Sequence, residues 1–136
     1  MTKQFFFLVI MMMVIQSCQT SKTSDESVES DEWAAMDDFH MIMAESFHPF
    51  RDSSNLEPAK RHAGELVTAA ESWISSDRPS RMSSEEVDEL LSVLKTEAEN
   101  LKSLVVSGSD QEIGASLTSL HDTFHHLQEQ WYHKKE

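Results

Sequence analysis

Cysteine is almost missing from this chain: Cys18 is the only one in 136 residues, so no disulfide can close within it. Glycine and proline are equally scarce, at three each. Without turn-forming pairs or alternating apolar–polar stretches, hairpins and sheets are excluded and the chain reads as all-α. A glycine-rich phosphate loop is missing, as is a Cys-x-x-Cys-His motif, which excludes loop-bound nucleotide and covalent haem. Positive charge is the other deficit, with 11 Lys and Arg against 24 Asp and Glu and a net charge of −13. Nucleic acid and anionic lipid surfaces are not expected partners, whereas cations, metal ions among them, are diffusely favoured.

Long apolar runs are limited to one, FFFLVIMMMVI from Phe5 to Ile15. It falls short of the roughly twenty residues that a membrane span requires. Following Lys3, it suits the apolar region of a signal peptide. Ile15-Gln16-Ser17-Cys18 comes next and resembles the lipobox of bacterial lipoproteins, departing from the commonest form at Gln16, where a smaller residue is usual. That resemblance implies that residues 1–17 are removed and that Cys18 is acylated, with palmitate for example, and becomes the mature N-terminus. It implies a cell-envelope protein, lipid-anchored in the membrane and periplasmic or surface-exposed. Gln19 stands where an acidic residue is associated with inner-membrane retention, so the outer membrane is favoured. The alternative is an ordinary cleaved signal with an incidental cysteine. Residues 18–32 then form an acidic tether: 19–32 carries Asp25, Glu26, Glu29, Asp31 and Glu32 and a single aliphatic residue, Val28. Residues 33–133 remain as one small domain.

Apolar spacing of three and four marks four helices in that domain. Trp33 to His48 carries Met36, Phe39, Met43 and Phe47, and Pro49 is expected to stop it. Asn55 to Trp73 follows, with Pro58 in its first turn and an inward series of Ala59, His62, Ala63, Leu66, Ala69, Ala70 and Trp73. Residues 75–80 read as a loop. Helix three opens at Ser83 or Ser84 with Glu85 or Glu86 nearby, and runs from Val87 through Leu90, Leu91, Leu94, Ala98, Leu101 and Leu104 to Val105. Ser107-Gly108-Ser109-Asp110 breaks it, and Asp110 is the expected cap of helix four, which buries Ile113, Leu117, Leu120, Phe124, Leu127 and Trp131. Short connections make an up-down-up-down four-helix bundle.

Histidine is the informative residue. His40 and His48 lie on helix one, His62 on helix two, and His121 and His125 on helix four. Histidines at i and i+4 on one helix face are the simplest two-ligand arrangement for a transition metal. Heights counted from the top of the bundle at about 1.5 Å per residue put His40 about 12 Å down, His62 about 7–8 Å and His121 about 16 Å. The expected centre is therefore His40, His62 and His121, with His125 or His48 at its margin. Neutral imidazoles suit Zn, Cu or Ni. Asp37, Asp38, Glu45 and Asp122 could add a carboxylate, and Met36, Met41 or Met43 a thioether that suits Cu(I). The plainer reading is that these histidines are helix-packing groups and the methionines core filler. His126 and His133 read as a solvated face.

With a methionine on helix one and a histidine on helix four, the architecture resembles the four-helix cytochromes of the soluble b type and cytochrome c prime. That resemblance implies noncovalent haem between Met36, Met41 or Met43 and His121 or His125, in a slot opened by Ala35, Ala59, Ala63 and Ala69. Paired helical histidines are also similar to those of periplasmic metal-sensing helical hairpins. Asp37/His40 and Asp122/His125 echo the Glu-x-x-His of di-iron bundles with a shorter acid, and Glu65 and Glu97 are weak candidates for the remaining ligands. No catalytic group stands out, so an enzyme is not expected. The sequence points to an extracytoplasmic lipid-anchored bundle that handles, buffers or senses a transition metal. A structural or interaction lipoprotein and a haem electron carrier are the alternatives.

Overall fold

The computed structural model describes residues 33–134. The expected signal segment, Cys18 and the expected tether lie outside those residues. Four helices make the domain: α1 Ala34–Ser53, α2 Glu57–Ser75, α3 Glu85–Ser107 and α4 Asp110–His133, with a 3₁₀ turn at Ser80–Met82 ahead of α3. Each helix packs on its neighbours in chain order and α4 returns to α1, so the bundle closes up-down-up-down. The described residues contain no strand, and no described helix is long and apolar enough to cross a membrane.

Apolar stripes put the core where the spacing places it. Phe39, Leu66, Leu94, Leu101, Leu120 and Leu127 have no more than 0 % of their surface exposed. At the lower end, Trp33 meets Trp73 edge-on at 5.2 Å and Trp131 at 5.9 Å, while the Arg81 guanidinium lies 3.8 Å from the Trp131 ring. Aromatic contacts of this kind add about 0.5–1.5 kcal/mol each beyond area burial. Met82, in the segment joining α2 to α3, is fully buried and plugs the same end.

Pro49 does not stop α1. It sits inside the helix, which continues to Ser53. A proline removes one backbone bond, but the extra turn carries Phe50, whose ring packs 6.1 Å from Phe47 and over Gly114 of α4. A Cβ at Gly114 would come within 2.8 Å of the Phe50 ring, so glycine there is what admits that ring. The helix then ends in a left-handed αL cap: the Ser54 N–H donates to the Phe50 carbonyl at 2.7 Å, and the Asn55 N–H reaches back to the Pro49 carbonyl at 3.1 Å. Ser54 takes the left-handed conformation, φ 55°, that this ending requires. Ser84 caps α3 by accepting from the Val87 N–H. The cap of α4 is Ser109 and not Asp110, because Glu112 at the third helical position completes a reciprocal capping box with Ser109.

Candidate metal centre

The α1–α4 face is built by antiparallel stacking of aromatic rings. Phe39 and His40 of α1 both lie against Phe124, at 5.7 and 5.2 Å, and Phe47 lies flat on His121 with centroids 3.7 Å apart. Between these pairs is a cleft of about 270 Å³ lined by His40, Met43, Phe47, His48, Arg51, His121, Phe124 and His125. Four of the five histidines expected to ligate thus share one cleft.

His121 and His125, one turn apart on α4, bring their Nε2 atoms to 3.0 Å. Their rings meet at 78°, so the nitrogens approach corner to corner instead of the rings stacking. Two imidazoles bound at about 2.0–2.1 Å to one ion have nitrogens roughly 2.9 Å apart in a right-angled geometry and 3.3 Å in a tetrahedral one. The observed spacing falls inside that range. On the far side of His125, Nδ1 is 3.1 Å from Oε1 of Gln128, which fixes the ring. Nδ1 of His121 is buried with no hydrogen-bond partner, and Asp122 Oδ1 stands 3.6 Å away, beyond hydrogen-bond reach. Burial holds the His121 pKa below its ordinary value, and the neighbouring His125 and His48 push it the same way against the opposing pull of Asp122.

This chain matches no family model, no curated protein and no solved structure.

The geometry revises the expected centre. His48 lies in the cleft and close enough to His121 to influence it, whereas His62 is on another face. His62 Nδ1 is 2.9 Å from Glu65 and its Nε2 is 3.8 Å from Glu45, in the groove between α1 and α2. With α1 ending at Ser53 instead of His48, the top of the bundle moves up five residues, about 7.5 Å, so the heights counted from His48 no longer apply. His121 stacks on Phe47, and His40 on Phe124. His48 borders both grooves, on the ridge of α1 between them.

Other candidate donors are spread out. Met43 is buried in the cleft wall, Met36 is buried in the core, and Met41 is 63 % exposed on the opposite groove. Asp38 lines a separate groove between α1 and α2 and Asp37 is exposed. Glu65 is engaged by His62, and Glu97 accepts from Ser119. His126 and His133 are exposed. Among the described residues no three His, Cys, Asp or Glu side chains converge to hold an ion. The closest approach among these groups is the α4 pair, with His40 and His48 lining the same cleft.

Haem fits poorly. Ala59 and Ala63 are covered by the core, while Ala35 and Ala69 line the outer α1–α2 groove, so the small residues open no common slot. The cleft that holds Met43 and His121 is floored by stacked rings and is smaller than the ~300–1,000 Å³ of typical small-molecule sites. Gln128 and Phe47 contact the pair directly, and the histidine spacing alone does not single them out. Gln128 is three residues beyond His125, a spacing that puts the two on one face.

Proposed function

We propose that this protein is a lipid-anchored, extracytoplasmic four-helix bundle that binds a divalent transition metal through His121 and His125, with His40 and His48 supplying further nitrogen from across the cleft. The observation that carries this is the 3.0 Å approach of the two Nε2 atoms, with Gln128 orienting one ring from behind. A nitrogen-only donor set suits Zn, Cu(II) or Ni and disfavours Mg or Ca, which take oxygen ligands. An open, two-nitrogen platform on one helix suits uptake and release, as handling or buffering requires. The envelope location rests on the lipobox-like Ile15-Gln16-Ser17-Cys18.

A titration of the purified protein with Zn²⁺ and with Cu²⁺, followed by calorimetry, tests the metal reading. Wild type should bind, and His121→Ala/His125→Ala should not. Melting temperature should rise with metal for wild type alone, since a ligand at 100 times its Kd stabilises by about 2.7 kcal/mol. Equal binding by both proteins would end the proposal. Incorporation of labelled palmitate, lost in Cys18→Ser, tests the anchor.

One observation favours a second reading, a structural or interaction lipoprotein: His121 and His40 each stack face-on against a phenylalanine, as packing groups would. The same titration separates the two, because packing histidines leave metal in solution.

A further inference from the structure

One cleft breaks the charge pattern of this protein. The chain carries a net charge of −13, and three other grooves show it: Asp38 and Glu65 line one, Glu45 another, and Glu86, Glu89 and Glu129 a third. The α1–α4 cleft is lined by four histidines and Arg51, and by no carboxylate. Two acids adjoin it without lining it. Asp52 accepts from the Arg51 Nε at 2.8 Å, and Asp122 stands 3.6 Å from Nδ1 of His121. Imidazole binds a metal as a neutral ligand, so a divalent ion on the α4 pair keeps its full charge there. Arg51 adds more positive charge, and charge of one sign on a partly desolvated wall is costly without a counter-charge. The pair also fills only two positions of an ion. Others stay open in tetrahedral and octahedral geometry alike, even after a third nitrogen from His40 or His48.

We infer that the cleft takes its metal as an anionic carboxylate chelate, not as the bare ion, with the Arg51 guanidinium holding a carboxylate of the chelator. This rests on the metal reading above and names the form of its cargo. Arg51 is four residues beyond Phe47 and three beyond His48, hence one turn along the same face of α1. Phe47 is the ring on which His121 lies, so Arg51 joins the cleft about one turn, roughly 5 Å, above the α4 pair. Its Nε is taken by Asp52, which leaves both terminal NH₂ groups for an incoming anion. The side chain is 58 % exposed, which leaves it free to reach across the cleft mouth. A guanidinium pairs with carboxylate through parallel N–H bonds that a point charge does not match. Docking exchanges ligands and moves no electrons: two waters leave adjacent positions on the chelated ion, and Nε2 of His121 and of His125 take their places. The 3.0 Å between those nitrogens suits adjacent positions. The chelator keeps its own bonds to the metal, and its carboxylates offset the charge that the imidazoles do not. The cargo class is a borderline divalent ion held by a small polycarboxylate, with two neighbouring positions open.

Two nickel chelates of like shape and opposite charge, titrated by calorimetry into the purified protein, test it. Ni²⁺–nitrilotriacetate is an anion rich in carboxylate, and Ni²⁺–tris(2-aminoethyl)amine is a cation with none. Both leave two adjacent positions open. Wild type should bind the nitrilotriacetate complex, and His121→Ala/His125→Ala should bind neither. Arg51→Gln should bind the nitrilotriacetate complex about fivefold more weakly, the upper range for an exposed charge pair, without weakening the amine complex. Arg51→Lys should recover only part of that loss. Lys95→Gln on α3 removes the same charge elsewhere and should change neither. Bare nickel bound but the nitrilotriacetate complex refused, Arg51→Gln binding both complexes as wild type does, or an equal loss in Lys95→Gln, overturns the chelate and leaves the metal site standing. Failure of wild type to bind nickel in any form overturns both.

Discussion

Phe47 and His121 lie with their rings 13° from parallel and 3.7 Å apart, so one face of the imidazole is shut off from water by the helix opposite. That contact makes His121 costly to protonate in the folded protein, and it yields a prediction about pH. The His121 pKa is lowered from 6.5, chiefly by burial. In the unfolded chain the ring takes up a proton near 6.5, whereas the folded protein resists until the pH is lower. Between those values the unfolded state binds more protons, so stability falls as pH drops below 6.5 and levels off beneath the folded value. Above about pH 7.5 both forms are neutral by the ordinary histidine pKa, and the effect vanishes. Urea midpoints for wild type and His121→Gln, taken from pH 8 to pH 5, should converge as the solution is acidified. A constant or widening gap would refute this.

Gly114 and Phe50 should be strongly coupled. Alanine within a helix gains about 1 kcal/mol over glycine. Here its Cβ would meet the Phe50 ring at 2.8 Å, an overpacking that costs about 1–3 kcal/mol. Gly114→Ala should therefore destabilise wild type by about 1 kcal/mol, yet stabilise a Phe50→Ala background. A double-mutant cycle by urea denaturation measures it, and a coupling energy below about 0.5 kcal/mol would show that the ring moves aside freely.

Ser54 holds a left-handed conformation that costs a side chain about 1–2 kcal/mol and glycine almost nothing. Ser54→Gly should stabilise the bundle by roughly 0.5–1 kcal/mol, because glycine also gives the unfolded chain more freedom. Thermal denaturation checks the sign. A lower melting temperature would mean that the left-handed cap tolerates serine without strain.

Ser109→Ala should loosen the first turn of α4 at a cost of about 1 kcal/mol. The capping box also holds the Glu112 carboxyl below its ordinary value, first through the Ser109 N–H and then through the Ser109 hydroxyl. In the variant the Glu112 pKa should rise toward normal, and amide exchange should speed up at residues 110–113 alone. Uniform acceleration along α4 would place the effect elsewhere.

The apolar spacing made the core legible: Met36, Phe39, Met43 and Phe47 on α1, and Ile113, Leu117, Leu120, Phe124, Leu127 and Trp131 on α4, are all buried where the period puts them. A local rule ends α1 at Pro49 because it registers the lost hydrogen bond and not the ring of Phe50 that the next turn delivers to Gly114. His62 has the spacing of the inward face of α2, but it lies on the shoulder of the helix, where Glu65 and Glu45 draw the ring outward. Met82 carried no periodic signal, since it sits in a connection and is buried through the path of the chain. The choice of Ser109 over Asp110 needed the reciprocal bond of Glu112, which neighbouring cap residues alone do not reveal.

Trp33 is 2 % exposed although it precedes the first helix, and it touches the last turns of both α2 and α4 through Trp73 and Trp131. The chain thus enters the fold directly at its aromatic base, with no slack residue between. A pull applied from the N-terminal side is met at once by three helices that must shear together, so mechanical load on this domain is borne by tryptophan packing before any helix begins to unwind.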